Sequence, residues 1–149
     1  MNLVNKNTDK RKTIGIPRGL LYYEHGALWE SFFEKLGFNV IISSKTNSDI
    51  LNAGVMHCTN ETCLPVKVYH GHILDLNDKA DYIFVPRYSS IYKNEYSCPK
   101  LCGLPDMATY NLKSKPKIFE IKINENRNKE TYDSLKSASE ILSVSYQKL

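Results

Sequence analysis

Two short stretches of the sequence place cysteines in positions that favour metal binding. The first, CTNETCLPVKVYHGH, runs from Cys58 to His72, and the second, CPKLCGLPD, runs from Cys98 to Asp106. A proline follows Cys63 by two residues and Cys98 by one, and proline is favoured in the first turn of a helix. Each cysteine is therefore predicted at a helix start, where the helix dipole and unpaired N–H groups favour the metal-binding thiolate. We predict a shared metal site with Cys63, Cys98 and Cys102 as ligands.

The cysteines could instead be buried in the core or bind zinc. Free cysteine is among the residue types most often buried, so core packing accounts best for Cys58 and competes with ligation at Cys102. The spacings CTNETC and CPKLC also come close to those of structural zinc ligands, although neither has the two-residue spacing of most zinc ribbons. A zinc site is therefore an alternative to other metals.

Other side chains near the cysteines could contact a metal or an anion. His70 and His72 are two residues apart, so on a helix they point about 200° from each other and cannot chelate one ion. We expect hydrogen bonding and helix packing from these rings, with one facing the site and the other facing solvent. Lys67 lies one turn after Cys63 and could hold an anionic cofactor or a phosphate; a solvated lysine is the alternative.

Two predicted strands end in the same tripeptide pattern, IPR ending at Arg18 and VPR ending at Arg87. We expect the prolines to end the strand pairing and the arginines to project from the carboxyl ends of the strands. If the strands are neighbours, two guanidinium groups border one crevice, where they could bind a phosphate or a carboxylate of another domain. A local salt bridge is the alternative for each arginine.

The order of apolar segments predicts an α/β fold. Helical spacing of apolar residues, ended by Gly37, indicates the first helix, and the continuous apolar run DYIFV is typical of a strand buried on both faces. We predict a Rossmann-like, mostly parallel sheet of four or slightly more strands with helices on both faces, which binds ligands at the carboxyl ends of its strands. The predicted strands are 12–16, 38–42, 81–85 and 117–123, and the helices are 24–36, 48–55, 65–76 and 131–149. The stretch 86–106 is predicted as a long loop or a helix.

Composition limits the class of protein. With 149 residues and 42% hydrophobic content, the chain is long enough for one globular domain, which we place at 12–149 after a disordered lead-in at 1–11. The net charge of +4 is scattered, without the basic run that marks a nucleic-acid surface. There is neither a signal peptide nor a run of roughly 18 apolar residues, so we expect a cytoplasmic protein without membrane contact, whose four cysteines stay reduced.

Four segments together closely resemble a known family. IGIPRGLLYYEHGALWESFFEKLGF, CTNETCLPVKVYHGHILDL, DYIFVPR and SCPKLCGLPDM are similar to the uncharacterised domain associated with the activases of 2-hydroxyacyl-CoA dehydratases. That domain is related to dehydratase subunits and to double-cubane-cluster proteins. The resemblance covers residues 13–107, and the motifs are specific in their order and spacing.

The resemblance implies a Rossmann-like domain of an anaerobic iron–sulfur system. In that system an ATP-dependent activator passes a low-potential electron to a dehydratase whose cluster is held by cysteines. Position by position, Cys63 and Cys98 correspond to cluster ligands, and Cys102 fits the motif less closely. The implied cofactor is an iron–sulfur cluster. The implied partners are the activator or a dehydratase-like domain, together with an acyl-CoA whose phosphates Arg18, Arg87 and Lys67 could bind.

The sequence departs from the family pattern in two ways. Related cluster proteins draw a further cysteine from a second domain, so we expect this chain to be part of a larger protein or assembly. It also lacks the glycine-rich phosphate loop and acidic residues of an ATPase, so we expect no ATP hydrolysis. Three hypotheses remain: an iron–sulfur domain of a dehydratase-like enzyme or low-potential reductase, a non-catalytic module that docks a partner, and a zinc-stabilised domain.

Overall fold

The computed structural model describes residues 11–112 and 116–144. Apart from Arg11, the predicted lead-in lies outside the described residues, so that prediction is not tested. Among the residues described, no helix combines the length and the apolar character that a membrane crossing requires.

The described residues form short strands that alternate with helices. The strands are β1 (Thr13–Ile16), β2 (Asn39–Ile42), β3 (Tyr82–Phe84), β4 (Arg87–Ser90), β5 (Ile118–Phe119) and β6 (Lys122–Asn124). The helices are α1 (Tyr22–Lys35), α2 (Ser48–Met56), α3 (Leu64–Leu76), α4 (Pro99–Cys102), α5 (Leu104–Asn111) and α6 (Asn128–Leu142).

The main sheet confirms the predicted Rossmann-like fold. Its strand order is β2-β1-β3-β5, and every pairing is parallel. In the register of the sheet, Ile14 lies beside both Val40 and Tyr82. Parallel neighbours need a crossover, and here the helices make those crossovers and cover the faces of the sheet.

Two apolar clusters show that helices cover both faces. On one face α1 and α6 pack on the sheet through an aromatic group in which the Phe84 ring lies 4.7 Å from the Trp29 ring and 4.9 Å from the Phe33 ring. On the other face α3 and α5 pack through residues such as Ile73 and Ala108. The first helix does not bury its whole apolar pattern, because Leu28 is 62% exposed.

Helices α2 and α3 cross with their backbones in contact. A Cβ added at Gly54 would lie 1.9 Å from the backbone oxygen of Lys67, and one added at Gly71 would lie 1.9 Å from the backbone oxygen of Ile50. Only glycine permits such an approach. This crossing therefore sets the position of α3, the helix that begins at Cys63.

The stretch 86–106, predicted as a loop or a helix, contains β4, α4 and the start of α5; the helix start at Cys98 is confirmed, and the strand β4 was not predicted. Pro86 does not end the pairing: Val85 N–H donates to Phe119 at 2.9 Å, and Arg87 N–H donates to Ile121 at 3.0 Å. In a parallel strand, every second residue hydrogen-bonds to the same neighbouring strand. Val85 and Arg87 bond on one side, so the N–H that Pro86 lacks would face the other side, where β1 has already ended. The predicted strand 117–123 is likewise divided into β5 and β6.

Candidate functional site

The sequence correctly predicted Cys63 at the start of a helix. Cys63 is the N-cap of α3, with extended backbone angles, and its carbonyl oxygen accepts hydrogen bonds from the N–H groups of Val66 and Lys67, each at 3.1 Å. The thiol makes no capping hydrogen bond, and the residue is exposed. Because α3 runs back to the start of the parallel strand β3, its N-terminus lies where β1, β2 and β3 end, an edge that we call the carboxyl rim.

Cys98 has the same local geometry in a shorter helix. It is the N-cap of α4, and its carbonyl oxygen accepts the N–H of Leu101 at 2.9 Å and of Cys102 at 3.3 Å. Cys98 is exposed. Helix α4 is a single turn of four residues, so the dipole at Cys98 is weaker than the one at Cys63.

The two cysteine segments touch each other. Lys100, two residues after Cys98, donates from Nζ to the backbone oxygen of Glu61, two residues before Cys63, at 2.9 Å. This bond joins residues 39 positions apart in the sequence. Both thiols therefore belong to adjoining segments of the carboxyl rim.

The other two cysteines have more enclosed surroundings. Cys102 is half-buried, and its Sγ lies 3.3 Å from the Ser89 hydroxyl oxygen. Cys58 is also half-buried, and its burial raises the pKa of the thiol, an effect that the nearby Lys67 partly opposes. Within the described ranges, no group of three or more His, Cys, Asp or Glu side chains could hold a metal ion. The role of these cysteines as ligands stays a prediction.

His70 and His72 make their hydrogen bonds to neighbouring residues of the fold. His72 Nδ1 lies 2.9 Å from the Ser43 hydroxyl, and Nε2 lies 3.0 Å from the Thr46 hydroxyl. Ser43 also accepts the backbone N–H of Arg18 at 2.7 Å, so His72 ties the turns after β1 and β2 to α3. Burial lowers the pKa of His72, which favours the neutral ring.

The expectation that one histidine faces solvent is wrong. His70 and His72 are both 0% exposed, because the sheet, α2 and α5 enclose α3 from several sides. His70 Nδ1 is 2.8 Å from the Val66 backbone oxygen, and burial lowers the pKa of its ring as well. The expected hydrogen bonding and helix packing are what the structure shows for both rings.

Arg87 is committed to neighbours within the fold. Its guanidinium donates twice to Asp106, at 2.8 and 3.0 Å, twice to Glu120, at 3.2 and 2.7 Å, and once to the Cys102 backbone oxygen, at 2.7 Å. These bonds occupy all five N–H donors of an arginine. Arg87 thus fastens α4 and α5 to the sheet. A phosphate could reach it only by displacing one of these bonds, and its predicted cofactor role stays a prediction.

Arg18 has a different environment. Its Nε is buried without a hydrogen-bond partner, and no ion pair joins Arg18 to another residue in the described part of the chain. The side chain lines a groove of about 560 Å³, counted to its open mouth, with the hydroxyl-bearing Thr46 and Tyr23 and the apolar Leu64 and Val68. Arg18 is therefore a cation of the carboxyl rim that remains available to an anion.

Lys67 points away from α3 toward the preceding loop. Its Nζ donates to the backbone oxygen of Asn60 at 3.3 Å, on the protein surface. This contact supports the loop that carries Cys58 and Cys63. A role for Lys67 in holding a cofactor stays a prediction.

The glycine-rich turn after β1 was expected from the sequence, but the cleft beside it was not. Leu20 has a φ of 52°, a left-handed conformation that is costly for a leucine, and a Cβ added at Gly19 would lie 3.1 Å from the Tyr69 ring. The turn thus presses against α3, and an apolar cleft lies between them. The glycine-rich stretch GIPRGLL was a signal for the turn, but only packing shows that Tyr69 faces it.

The chain matches one family model over most of its length. That model, described as CoA enzyme activase uncharacterised domain, matches residues 13–149. No curated protein and no solved structure matches the chain.

Proposed function

The chain belongs to the family described as CoA enzyme activase uncharacterised domain, and on that basis we propose that it serves an anaerobic iron–sulfur system related to 2-hydroxyacyl-CoA dehydratases. Its role there is to present Cys63 and Cys98 as thiolate ligands of a cluster that a second domain or subunit completes. When bound, such a cluster supplies low-potential electrons.

One observation carries this proposal. Two exposed cysteines cap adjoining helices, and the Lys100–Glu61 hydrogen bond holds their segments together at the carboxyl rim. Iron–sulfur clusters are usually held by four cysteine thiolates, and two exposed thiols at a rim suit a site shared between two protein surfaces. The lack of a three-ligand group among the described residues supports sharing rather than a complete site in this chain.

The charged residues of the rim suit supporting roles. Arg18 binds the anionic part of an acyl-CoA or the partner's carboxylate, because its guanidinium has no ion pair among the described residues. Arg87 acts as a positioning residue, because its bond to the Cys102 carbonyl oxygen holds the end of α4, the helix that Cys98 caps.

A second candidate function is partner docking without a cluster. Apolar side chains next to the thiols are exposed: Leu64, directly after Cys63, is 59% exposed, and Tyr96, two residues before Cys98, is 81% exposed. Such residues are typical of surfaces that another protein covers. No specific contact in the described structure favours zinc over these two functions.

Anaerobic reconstitution with iron and sulfide tests the proposal. We expect little chromophore with the chain alone and a visible iron–sulfur absorbance when the ATP-dependent activator or a dehydratase-like partner is added. Cys63→Ser and Cys98→Ser should each abolish that absorbance, and the control Cys58→Ser should retain it.

Three outcomes would count against the proposal. A partner complex that forms equally well with both serine variants and never binds iron would favour docking alone. One equivalent of zinc in the purified protein, with a loss of stability on chelation, would favour the zinc-stabilised domain. An iron–sulfur absorbance that survives both serine variants would remove these cysteines from the ligand set.

A further inference from the structure

The groove that contains Arg18 opens at the carboxyl rim. It lies between the turn after β1, helix α1, the loop after β2 and the start of α3, which contribute Arg18, Tyr23, Thr46 and Leu64 among others. Counted to its open mouth it measures about 560 Å³. Arg18 is the only charged residue among the described residues that line it. The groove therefore offers one positive charge to whatever binds there.

The Arg18 guanidinium is partly buried and lacks a counter-charge. Its Nε is buried without a hydrogen-bond partner, and no ion pair joins Arg18 to a described residue. Arg87, which ends the same tripeptide pattern, pairs with both Asp106 and Glu120. A cation that loses water without gaining a partner is destabilising. An anion bound in the groove would supply the counter-charge that the fold gives to Arg87 and not to Arg18.

Hydrogen bonds beside the groove connect Arg18 to His72. Ser43 is 1% exposed, and its Oγ accepts the backbone N–H of Arg18 at 2.7 Å. His72 Nδ1, 2.9 Å away, is the acceptor that the described residues offer to the Ser43 hydroxyl proton. A buried hydroxyl donates its proton wherever an acceptor is in reach, so Nδ1 accepts this bond.

This hydrogen bond determines which nitrogen of His72 carries the proton. Burial lowers the pKa of the ring and favours its neutral form, and a neutral imidazole whose Nδ1 accepts is protonated on Nε2. Nε2–H then donates to the Thr46 hydroxyl oxygen at 3.0 Å. The Thr46 proton is therefore directed away from His72. Because Thr46 is exposed and lines the groove, its hydroxyl is available there as a donor.

The donors of the groove come from separate elements. Arg18 lies on the turn after β1 and Thr46 on the loop after β2, and the bonds through Ser43 and His72 hold these two segments together. Helix α3 begins at the groove with Leu64, and the positive end of its dipole also favours an anion. A carboxylate presents two oxygens in one plane, which one guanidinium satisfies, whereas a phosphate group presents three oxygens in different directions. The arrangement suits a phosphate group better.

We propose that this groove binds a phosphate group, with the Arg18 guanidinium as its counter-charge, the Thr46 hydroxyl as a second donor and His72 as the residue that positions this hydroxyl. Neither a cluster nor a thiol is needed for this binding. If the proposed function holds, the phosphate is an ester of the acyl-CoA; this last step rests on the proposed function.

Titration of the metal-free protein at constant ionic strength, followed by ³¹P NMR and calorimetry, tests the ligand. Inorganic phosphate should bind saturably, and acetate should bind at least about fivefold more weakly. Arg18→Ala should weaken phosphate binding at least about tenfold, and Thr46→Val about threefold to tenfold. Lys35→Ala is the matched control, because it removes the same charge from the last turn of α1, away from the groove, and should leave binding unchanged.

The source of the phosphate is tested with an ester. Adenosine 3′,5′-bisphosphate that binds more tightly than inorganic phosphate, with the gain retained in Lys35→Ala, would support a phosphate ester as the ligand. Equal affinities would support free phosphate and remove the step to acyl-CoA.

The positioning role of His72 has its own measurement. The ¹⁵N chemical shifts of the imidazole distinguish the two neutral tautomers, and we expect the proton on Nε2 in the phosphate-free protein. His72→Gln, whose amide can donate from the position of Nε2, should keep more phosphate affinity than His72→Leu, with the Tm of each variant as the check on folding. A proton on Nδ1, or equal phosphate affinity in the two folded variants, would remove the positioning role.

The results separate this groove from the cysteine site. No saturable phosphate binding, or an equal loss in Arg18→Ala and Lys35→Ala, would overturn the phosphate site and leave the cysteine proposal standing. Acetate that binds as tightly as phosphate would overturn it in favour of a partner's carboxylate. Phosphate binding by a protein that never assembles a cluster, even with its partner, would support the phosphate site and remove the proposed function.

Discussion

At the scale of single residues, identical side chains have different chemistry because their surroundings differ. Cys63 and Cys98 cap helices and are exposed, whereas Cys58 is half-buried with a raised pKa. The thiolate is the reactive form, so exposure and pKa together decide which cysteine reacts. The two arginines show a similar contrast, because Arg87 has all its donors hydrogen-bonded, whereas Arg18 Nε has no partner among the described residues.

Thiol alkylation measures this difference. At neutral pH we expect iodoacetamide to modify Cys63 and Cys98 several times faster than Cys58, because the Cys58 thiol is less accessible and less ionised. Quenched time points followed by peptide mass spectrometry give the rate at each site. Equal rates at all three cysteines would contradict the geometry described.

The neutral histidines make stability depend on pH. Burial lowers the pKa of His70 and His72 in the folded state below their ordinary 6.5, so the unfolded chain binds protons more readily. Stability is therefore full above about pH 6.5 and falls as the pH drops toward the folded-state pKa values. Each histidine contributes a slope of at most about 1.4 kcal/mol per pH unit.

Urea unfolding between pH 7 and pH 5 measures that slope, and His72→Gln should make it shallower. Asp75 and Asp106, whose pKa values are lowered, affect stability in a different pH range. Their carboxylates lose their stabilising effect only as the pH falls below their ordinary pKa of 3.8. A slope in His72→Gln equal to that of the unchanged protein would mean that His72 does not resist protonation.

At the scale of elements, close contacts between helices position the site. The backbones of α2 and α3 meet at Gly54 and Gly71, and this contact sets where the N-terminus of α3, with Cys63, reaches the carboxyl rim. Arg87 positions α4 and α5 by donating hydrogen bonds to the Cys102 backbone oxygen and to the Asp106 carboxylate. Elements too short to be stable alone are therefore held by a few specific contacts.

Substituting alanine for the glycines where α2 and α3 cross tests whether this contact holds the two helices together. Glycine to alanine in a helix ordinarily stabilises by about 0.5–1 kcal/mol. Here a Cβ at either glycine would overlap a backbone oxygen, so Gly54→Ala and Gly71→Ala should each destabilise by about 2 kcal/mol or more. Chemical denaturation measures this.

Gly103→Ala is the matched control, because a Cβ there would meet its nearest neighbour at 3.4 Å, an ordinary contact, and stability should change by less than about 0.5 kcal/mol. Crossing variants as stable as the unchanged protein would show that α2 and α3 can separate without loss.

At the scale of the whole molecule, the side chains that could bind a ligand lie together at the carboxyl rim. The two capping cysteines, the apolar cleft and several exposed apolar side chains lie there, together with Arg18, which has no ion pair among the described residues. This is the edge where open parallel sheets bind ligands. This arrangement is why the proposed function places ligands and partners at this edge.

Charge at the rim should disrupt a partner complex. Leu64→Glu introduces a charge at a residue 59% exposed, so folding should be unaffected while binding to the activator or dehydratase-like partner weakens at least tenfold. Tyr110→Glu, on α5 and 85% exposed, is the control away from the thiols. Calorimetric titration gives both affinities. An equal loss in the two variants would point to general charge repulsion rather than to a surface at the rim.

Local signals in the sequence determined the elements and their order. Proline after Cys63 and Cys98 predicted two helix starts, and Gly37, with a φ of 90°, ends α1 as its position indicated. These signals are reliable because they act through backbone angles and hydrogen bonds within one turn of helix. The parallel α/β alternation follows from the same local patterns.

Only the tertiary structure decided what each side chain faces. The partners of Arg87 are up to 33 residues away in the sequence. Pro86 interrupts no strand pairing, because the neighbouring strand β1 has already ended at that point. Tyr69, on a helix, and Tyr88, on a strand, line the same cleft. No local pattern encodes such contacts, because they depend on how the elements pack. Packing thus determined which cation and which thiols are accessible at the carboxyl rim.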